Sequence, residues 1–241
     1  MNENTLTKMN QLKLYGMQRS LQSLIDTRTY QHLTHDEYIA TLVQSEWEDR
    51  ENRRIQRALK TARFRYQTSV EEIDFTQNRN LDKNQFLRFA DCSFIDRREN
   101  IIVSGPTGVG KSQLISALGH QGCLQGYKVL YFNCQKLFAT LKVAKVDGSY
   151  PKDITRIEKA DLLILDDFGL QAFDAGSRLI LLEIIEDRYD KKSTIIASQL
   201  PFDKWYDVIG EGTIADAVLD RLYHGSYRIE LKGESLRKKR Q

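Results

Sequence analysis

The sequence predicts an α/β fold, a parallel sheet covered by helices on both faces and preceded by a small all-helical module. Three observations carry that reading. Beyond Glu99, short apolar runs alternate with helical patterns. Residues 105–112 read Gly-Pro-Thr-Gly-Val-Gly-Lys-Ser directly after the apolar run Ile101-Ile102-Val103. The first 90 residues hold almost no glycine or proline. Strands that alternate with helices over such a length pair in parallel and are buried on both faces.

In the front module Leu6, Met9, Leu12, Met17, Leu21 and Leu24 recur near the helical period, with a mild break at Gly16. Thr34 and Glu37 make a capping-box pattern ahead of Tyr38, Ile39, Leu42 and Val43. Ser69 and Glu72 repeat it before Ile73 and Phe75. These patterns predict helices over residues 1–90 and a boundary between Phe86 and Glu99, with the second domain spanning 91–241. In that domain strands are expected at 101–104, 129–133, 162–166, 194–198 and 227–231. Helices are expected at 111–124, 135–145, 175–189, 203–209 and 214–224.

The octapeptide is a complete GxxxxGKS phosphate-binding loop in the strand–loop–helix setting such a loop requires. Gly105, Pro106, Thr107, Gly108, Val109 and Gly110 let successive backbone N–H groups face the phosphates of a nucleoside triphosphate. Lys111 would reach the β and γ phosphates, Ser112 would hold Mg²⁺, and the helix starting there adds its positive dipole end.

Composition sets the bounds. The chain has 241 residues, 41% of them hydrophobic, enough for a sizeable core, and a net charge of +3 that is too small to imply nucleic acid by itself. The polar N-terminus shows no signal peptide and no apolar run approaches the ~20 residues of a membrane span, so a cytoplasmic protein with no membrane partner is expected. Cys92, Cys123 and Cys134 are scattered without a CxxC and read as reduced thiols in or near the core. His32, His35, His120 and His224 form no zinc-ligand pattern.

The run Leu162-Leu163-Ile164-Leu165-Asp166-Asp167 ends a buried strand in two carboxylates at the sheet's carboxyl edge. Asp166 would support Mg²⁺, directly or through water, and Asp167 would orient or deprotonate an attacking water. A second acid implies hydrolysis, whereas a small-molecule phosphotransferase must exclude water and carry an acceptor pocket. No NKxD-like guanine-reading tetrapeptide occurs, which favours ATP. Thr194-Ile195-Ile196-Ala197-Ser198-Gln199 is an apolar strand with a polar end. Should it lie between the other two site strands, Gln199 or Ser198 would bond the γ phosphate or the water. Arg221 precedes the last strand on an amphipathic helix and would reach the nucleotide of a neighbouring subunit; Arg237 follows that strand and would contact its own. A solvated surface arginine is the alternative for each.

Arg50, Arg53, Arg54, Arg57, Lys60, Arg63 and Arg65 recur at spacings of three and four, a positive stripe flanked by Trp47, Phe64 and Tyr66. Such a stripe suits a phosphate backbone without reading sequence, or an acidic protein partner. Lys142, Lys145, Lys152 and Arg156 form a second basic set before the Asp166 strand, and Lys238-Lys239-Arg240 adds a basic tail.

With the phosphate loop, Asp166-Asp167-Phe168-Gly169, Ser198-Gln199-Leu200-Pro201 and Leu231-Lys232-Gly233-Glu234-Ser235 in order, the chain resembles the IstB family of transposition helper ATPases. These are similar to DnaC helicase loaders and belong to the AAA+ proteins. The resemblance spans nearly the whole chain. It implies a three-layer AAA+ core with sheet order 5-1-4-3-2. It also implies an ATPase, stimulated by DNA or transposase, that assembles as a homo-oligomer with intersubunit ATP sites on duplex DNA of largely any sequence and presents that DNA to a transposase. It supports Lys111 and Ser112 for nucleotide, Asp166 for Mg²⁺, Asp167 for water activation, Arg221 as arginine finger, Arg237 as second sensor and the Lys142–Arg156 connection as a DNA contact. Asp167 stands where Glu is commoner, and Gln199 where Asn, Ser or Thr is. A replicative helicase loader is the alternative function, with the helical module binding the helicase.

Overall fold

The computed structural model describes residues 2–77 and 79–236, and contacts divide the chain into two compact units between Arg57 and Ala58. In the first unit α1 (Asn2–Gln11) and α2 (Tyr15–Thr27) precede the long α3 (His35–Ala62). The periodic pattern breaks at Lys13, whose φ of 60° is left-handed, and not at Gly16. Gly16 lies within α2 because α3 passes so closely: a Cβ there would sit 2.2 Å from the Ser45 carbonyl oxygen. Glu46 of α3 accepts hydrogen bonds from the Gly16 and Met17 N–H groups at 2.9 and 3.2 Å, so a carboxylate from another helix caps α2. The expected capping box at the start of α3 forms. Thr34 N–H donates to Glu37 Oε2 at 2.8 Å and Glu37 N–H to Thr34 Oγ1 at 3.3 Å.

The second unit begins in the last turn of α3. Ala62, Val70 and Ile73, with Phe86 and Phe89 of α4 (Lys83–Ala90) and Phe94 of α5 (Ser93–Asp96), are buried in one apolar cluster with Ile101, Val103 and Leu118. The described residues between 58 and 90 therefore cover one face of the sheet, and the division falls well before the position expected near residue 90. The apolar side chains of this stretch build no core of their own. Ser69 N–H does donate to Glu72 Oε2 at 3.0 Å, but only a turn follows, not a helix. Val70 and Ile73 point into the core, and Asp74 opens the next turn by accepting from Thr76 N–H at 2.8 Å.

The sheet consists of β1 (Asn100–Ser104), β2 (Val129–Asn133), β3 (Leu162–Phe168), β4 (Ser193–Ser198) and β5 (Ser226–Glu230), wholly parallel in the expected order β5-β1-β4-β3-β2. The helices of this unit continue as α6 (Lys111–Leu124), α7 (Cys134–Asp147), α8 (Tyr150–Glu158), α9 (Ala175–Arg188), α10 (Trp205–Ile209) and α11 (Gly212–Tyr223). Alternation along β3 makes three layers. Leu162 and Ile164 join the cluster containing α6, while Leu163 and Leu165 join the opposite one with α7, α9 and α11. The α8 helix was not expected; Pro151 occupies its first turn, where a missing N–H costs nothing.

Candidate nucleotide site

Between β1 and α6 the chain turns through Gly105, Gly108 and Gly110, with φ of 145°, 84° and 95°. Close packing adds to the demand for glycine. A Cβ on Gly105 would lie 2.3 Å from the Leu231 carbonyl oxygen, and one on Gly108 2.1 Å from Ser235 Oγ. The segment after β5 thus lies against the loop, and Leu236 N–H donates to the Gly108 carbonyl at 2.9 Å. Gly110 caps α6 without any side chain, so no residue of the cap covers that helix N-terminus. Lys111 is 7% exposed, and its ammonium donates to the Gly105 and Pro106 carbonyls at 2.7 and 2.8 Å.

The acids stand at the carboxyl end of β3. The register against β4 shifts between Leu165 and Phe168, and Asp167 within that bulge takes a left-handed φ of 55°. Asp166 is 1% exposed; its Oδ1 accepts the Asp167 N–H at 2.9 Å and its Oδ2 the Tyr131 hydroxyl. Burial, then the charge of Asp166, pushes the Tyr131 phenol well above its ordinary pKa. Asn133, at the end of β2, donates Nδ2 to Asp167 Oδ2 at 2.9 Å, while its Oδ1 caps α7 by accepting from Lys136 N–H at 3.3 Å.

Two arginines that the sequence reading did not assign to this site help to line it. Arg65 Nη1 lies 3.0 Å from Asp167 Oδ2 and 3.5 Å from Asp166 Oδ2. Partial burial works to lower its pKa, but Asp167 and then Asp166 outweigh it and hold the guanidinium above its ordinary value. Arg79 is 4% exposed, donates to the Val109 and Asp74 carbonyls at 3.3 and 2.7 Å, and has no Nε partner among the described residues. Burial depresses its pKa. Together with Tyr66, Gln67, Thr107, Lys111, Ser112, Asp167 and Gln199 they line a cavity of about 670 Å³. Within the basic stripe Arg65 looked like one more surface cation. The signal that could have separated it is its neighbour Phe64, too apolar for a solvated helix face.

The strand ending at Ser198 does lie between β1 and β3, the condition set for its polar end. Gln199 reaches the cavity. The Ser198 hydroxyl is buried and spent on local structure, donating to the Phe168 carbonyl at 2.8 Å and accepting from Leu200 N–H at 3.0 Å. Arg221 does not line this cavity; it pairs with Glu186 of α9 at 2.9 Å and donates to the Ala217 carbonyl at 2.7 Å. Arg237 and the basic tail lie outside the described residues.

The front stripe is partly neutralised. Arg50 pairs with Glu46 at 2.6 Å, Arg53 with Asp49 at 2.6 Å, and Arg54 with Glu51. Glu46 and Asp49 lie on the same helix, one turn before Arg50 and Arg53. Arg57 donates to the Arg53 carbonyl at 3.1 Å, and Lys60 is exposed. In the second set Lys142 pairs with Asp174 and Lys145 sits 4.5 Å over the Tyr150 ring, while Lys152 and Arg156 are on α8. The three thiols are buried and free, with burial pushing Cys92 and Cys123 up to about 12. No described helix is long and apolar enough to cross a membrane.

The donors present fit a magnesium–triphosphate. Among the described residues no group of three or more His, Cys, Asp or Glu converges on a point, so there is no all-protein metal cage. Ser112 with one buried carboxylate is the sparse oxygen set that suits Mg²⁺, which keeps waters and leans on substrate phosphates. The loop glycines at positive φ, two of them too close to the chain after β5 to take a Cβ, suit backbone contacts to phosphate.

Relatives match in sequence along nearly the whole chain. The insertion sequence ATP-binding protein y4pL of Sinorhizobium fredii is 42% identical over 234 residues, 97% of this chain and 96% of that one. Among solved structures, DnaI matches with a TM-score of 0.59 at 21% identity, covering 73% of this chain and 93% of that one. The DnaC helicase loader matches at 0.55 and 20%, covering 73% and 99%. These two likenesses are of fold. The family model described as IstB-like ATP binding protein matches residues 7–241, and the chain belongs to that family.

Proposed function

We propose that the chain is an ATP-hydrolysing helper of insertion-sequence transposition, which assembles on duplex DNA and delivers it to a transposase. The observation that carries the hydrolytic part is that Lys111, Ser112 and Asp167 line one cavity, with Asp166 beside Asp167 on β3. Lys111 and the loop amides bind and orient the phosphates, and Ser112 and Asp166 hold Mg²⁺, which offsets charge on the phosphates when bound. Asp167, held by Asn133, accepts the proton of the attacking water, and Gln199 orients that water. Transposition is favoured over helicase loading because the relative matched end to end is an insertion sequence protein, whereas the loader likeness is of fold.

Arg221, outside its own cavity, completes the site of a neighbouring copy after exchanging Glu186 for the γ phosphate; Arg237 contacts its own nucleotide. Duplex DNA is gripped by Lys142, Lys145, Lys152 and Arg156 on α7 and α8, and by Arg57 and Lys60 with the outward parts of Arg50, Arg53 and Arg54. Size-exclusion chromatography with ATP and duplex DNA tests the assembly. The wild type should elute as a DNA-bound oligomer and Lys111→Ala as a monomer. A wild type that stays monomeric at low salt with both ligands would refute it.

A further inference from the structure

Arg65 is shared by both acids, and its place is built. Helix α3 ends at Ala62, Arg63 turns the chain through a left-handed φ of 57°, and Phe64 then packs edge-on to Tyr131 at 6.1 Å between ring centroids. Gly119 of α6 makes room for that ring: a Cβ there would sit 2.4 Å from Phe64 Cε1. With Phe64 anchored, the next side chain is directed to the ends of β2 and β3, and the Arg65 guanidinium rests 5.8 Å over the Tyr66 ring.

The oxygens it reaches are already engaged. Asp166 Oδ2 takes the Tyr131 hydroxyl and Asp167 Oδ2 takes Asn133 Nδ2, so Arg65 fills what remains of each oxygen's accepting capacity. A divalent cation seated by Asp166 needs an oxygen of the same carboxylate, and like charges a few ångströms apart repel. Arg65 and the metal are rivals for one carboxylate.

We propose that Arg65 is an internal counter-ion of the Asp166–Asp167 pair that Mg²⁺ displaces on entering, so that metal uptake and release of the Arg65 side chain are one event. This rests on the reading of Asp166 as the Mg²⁺-supporting acid. The magnesium-dependent part of nucleotide affinity is weakened by the contact, and the magnesium-free part is untouched.

The test titrates Mg²⁺ into the full chain at fixed N-methylanthraniloyl-ATP and follows bound fluorescence. Arg65→Ala should lower the Mg²⁺ midpoint by about fivefold, the scale of a partly exposed ion pair. Arg65→Lys, a milder change, should lower it less, and Arg65→Ala should bind the same probe in EDTA as the wild type does. Lys191→Ala, which removes an exposed charge just before β4, at the end of the sheet opposite the acids, should leave the midpoint in place. A midpoint unchanged or raised by Arg65→Ala, or lowered equally by Lys191→Ala, overturns the proposal. Asp166→Asn separates the two readings. If it keeps the wild-type midpoint, the Asp166 assignment fails and takes the counter-ion role with it. If it loses the magnesium dependence while Arg65→Ala keeps the wild-type midpoint, only Arg65 is misassigned.

Discussion

Replacing Tyr131 with phenylalanine removes one oxygen and keeps the ring. The ring is 7% exposed, packs against Phe64 and fills the same space in either residue, so the change isolates the hydroxyl bond to Asp166. A hydrogen bond to a charged group contributes about 1.5–3 kcal/mol net, and Asp166 at 1% exposure has little water to replace it. Arg65 Nη1, 3.5 Å away, remains as partial compensation, which favours the lower end. For a chain of this size each kcal/mol moves Tm by roughly 2–4 °C, so Tyr131→Phe should melt about 3–8 °C below the wild type. Thermal melts followed by near-ultraviolet circular dichroism, which reports tertiary packing, are the assay. A shift under about 1 °C would mean that the phenol does not stabilise the buried carboxylate.

Three further outcomes are expected. Gly108→Ala, forced to a φ of 84° with its Cβ 2.1 Å from Ser235 Oγ, should distort the loop and cost at least tenfold in ATP affinity by titration calorimetry, with the far-ultraviolet spectrum unchanged. Glu46→Ala should expose the capping defect of α2, seen as faster amide hydrogen exchange at Gly16 and Met17 and a loss of about 1–3 kcal/mol in the front unit. Stability should fall at alkaline pH. Burial raises the Cys92 and Cys123 thiols from about 9 to about 12, so below pH 9 both folded and unfolded chains keep their protons and stability is full. Above it the unfolded chain ionises first, and stability drops by up to about 1.4 kcal/mol per pH unit for each thiol until pH 12. Urea melts between pH 8 and 11 measure the slope, which Cys92→Ala and Cys123→Ala should each flatten.

What was legible in the sequence is what short-range pattern controls. The β strands are continuous apolar runs because a parallel sheet is buried on both faces, and the phosphate loop is contiguous, so its residues announce themselves together. The capping box at Thr34 held because a long helix follows it. The same letters at Ser69 made only a turn, since Val70 and Ile73 are claimed by a core assembled from distant strands. Contacts between distant residues were invisible: Arg65 on the β3 acids, Arg221 on Glu186, and Glu46 capping a helix some 30 residues away. Charge counting along the front stripe overlooked Glu46 and Asp49, whose spacing places them beside Arg50 and Arg53 on one helix. The boundary near residue 90 was misplaced for a related reason. Composition changes there, but packing changes at Arg57, and only packing defines a unit.

The central claim, that the acids at the end of β3 turn a nucleotide-binding loop into a hydrolase, is tested most directly by Asp167→Asn. The measurement is steady-state phosphate release from ATP with Mg²⁺ and duplex DNA, beside ATP affinity on the same preparation. The wild type should turn over, and the variant should bind ATP within about twofold of wild type while hydrolysing at least ~10²-fold more slowly, the scale of a lost general base. Hydrolysis at the wild-type rate by the variant, with binding intact, would contradict the account.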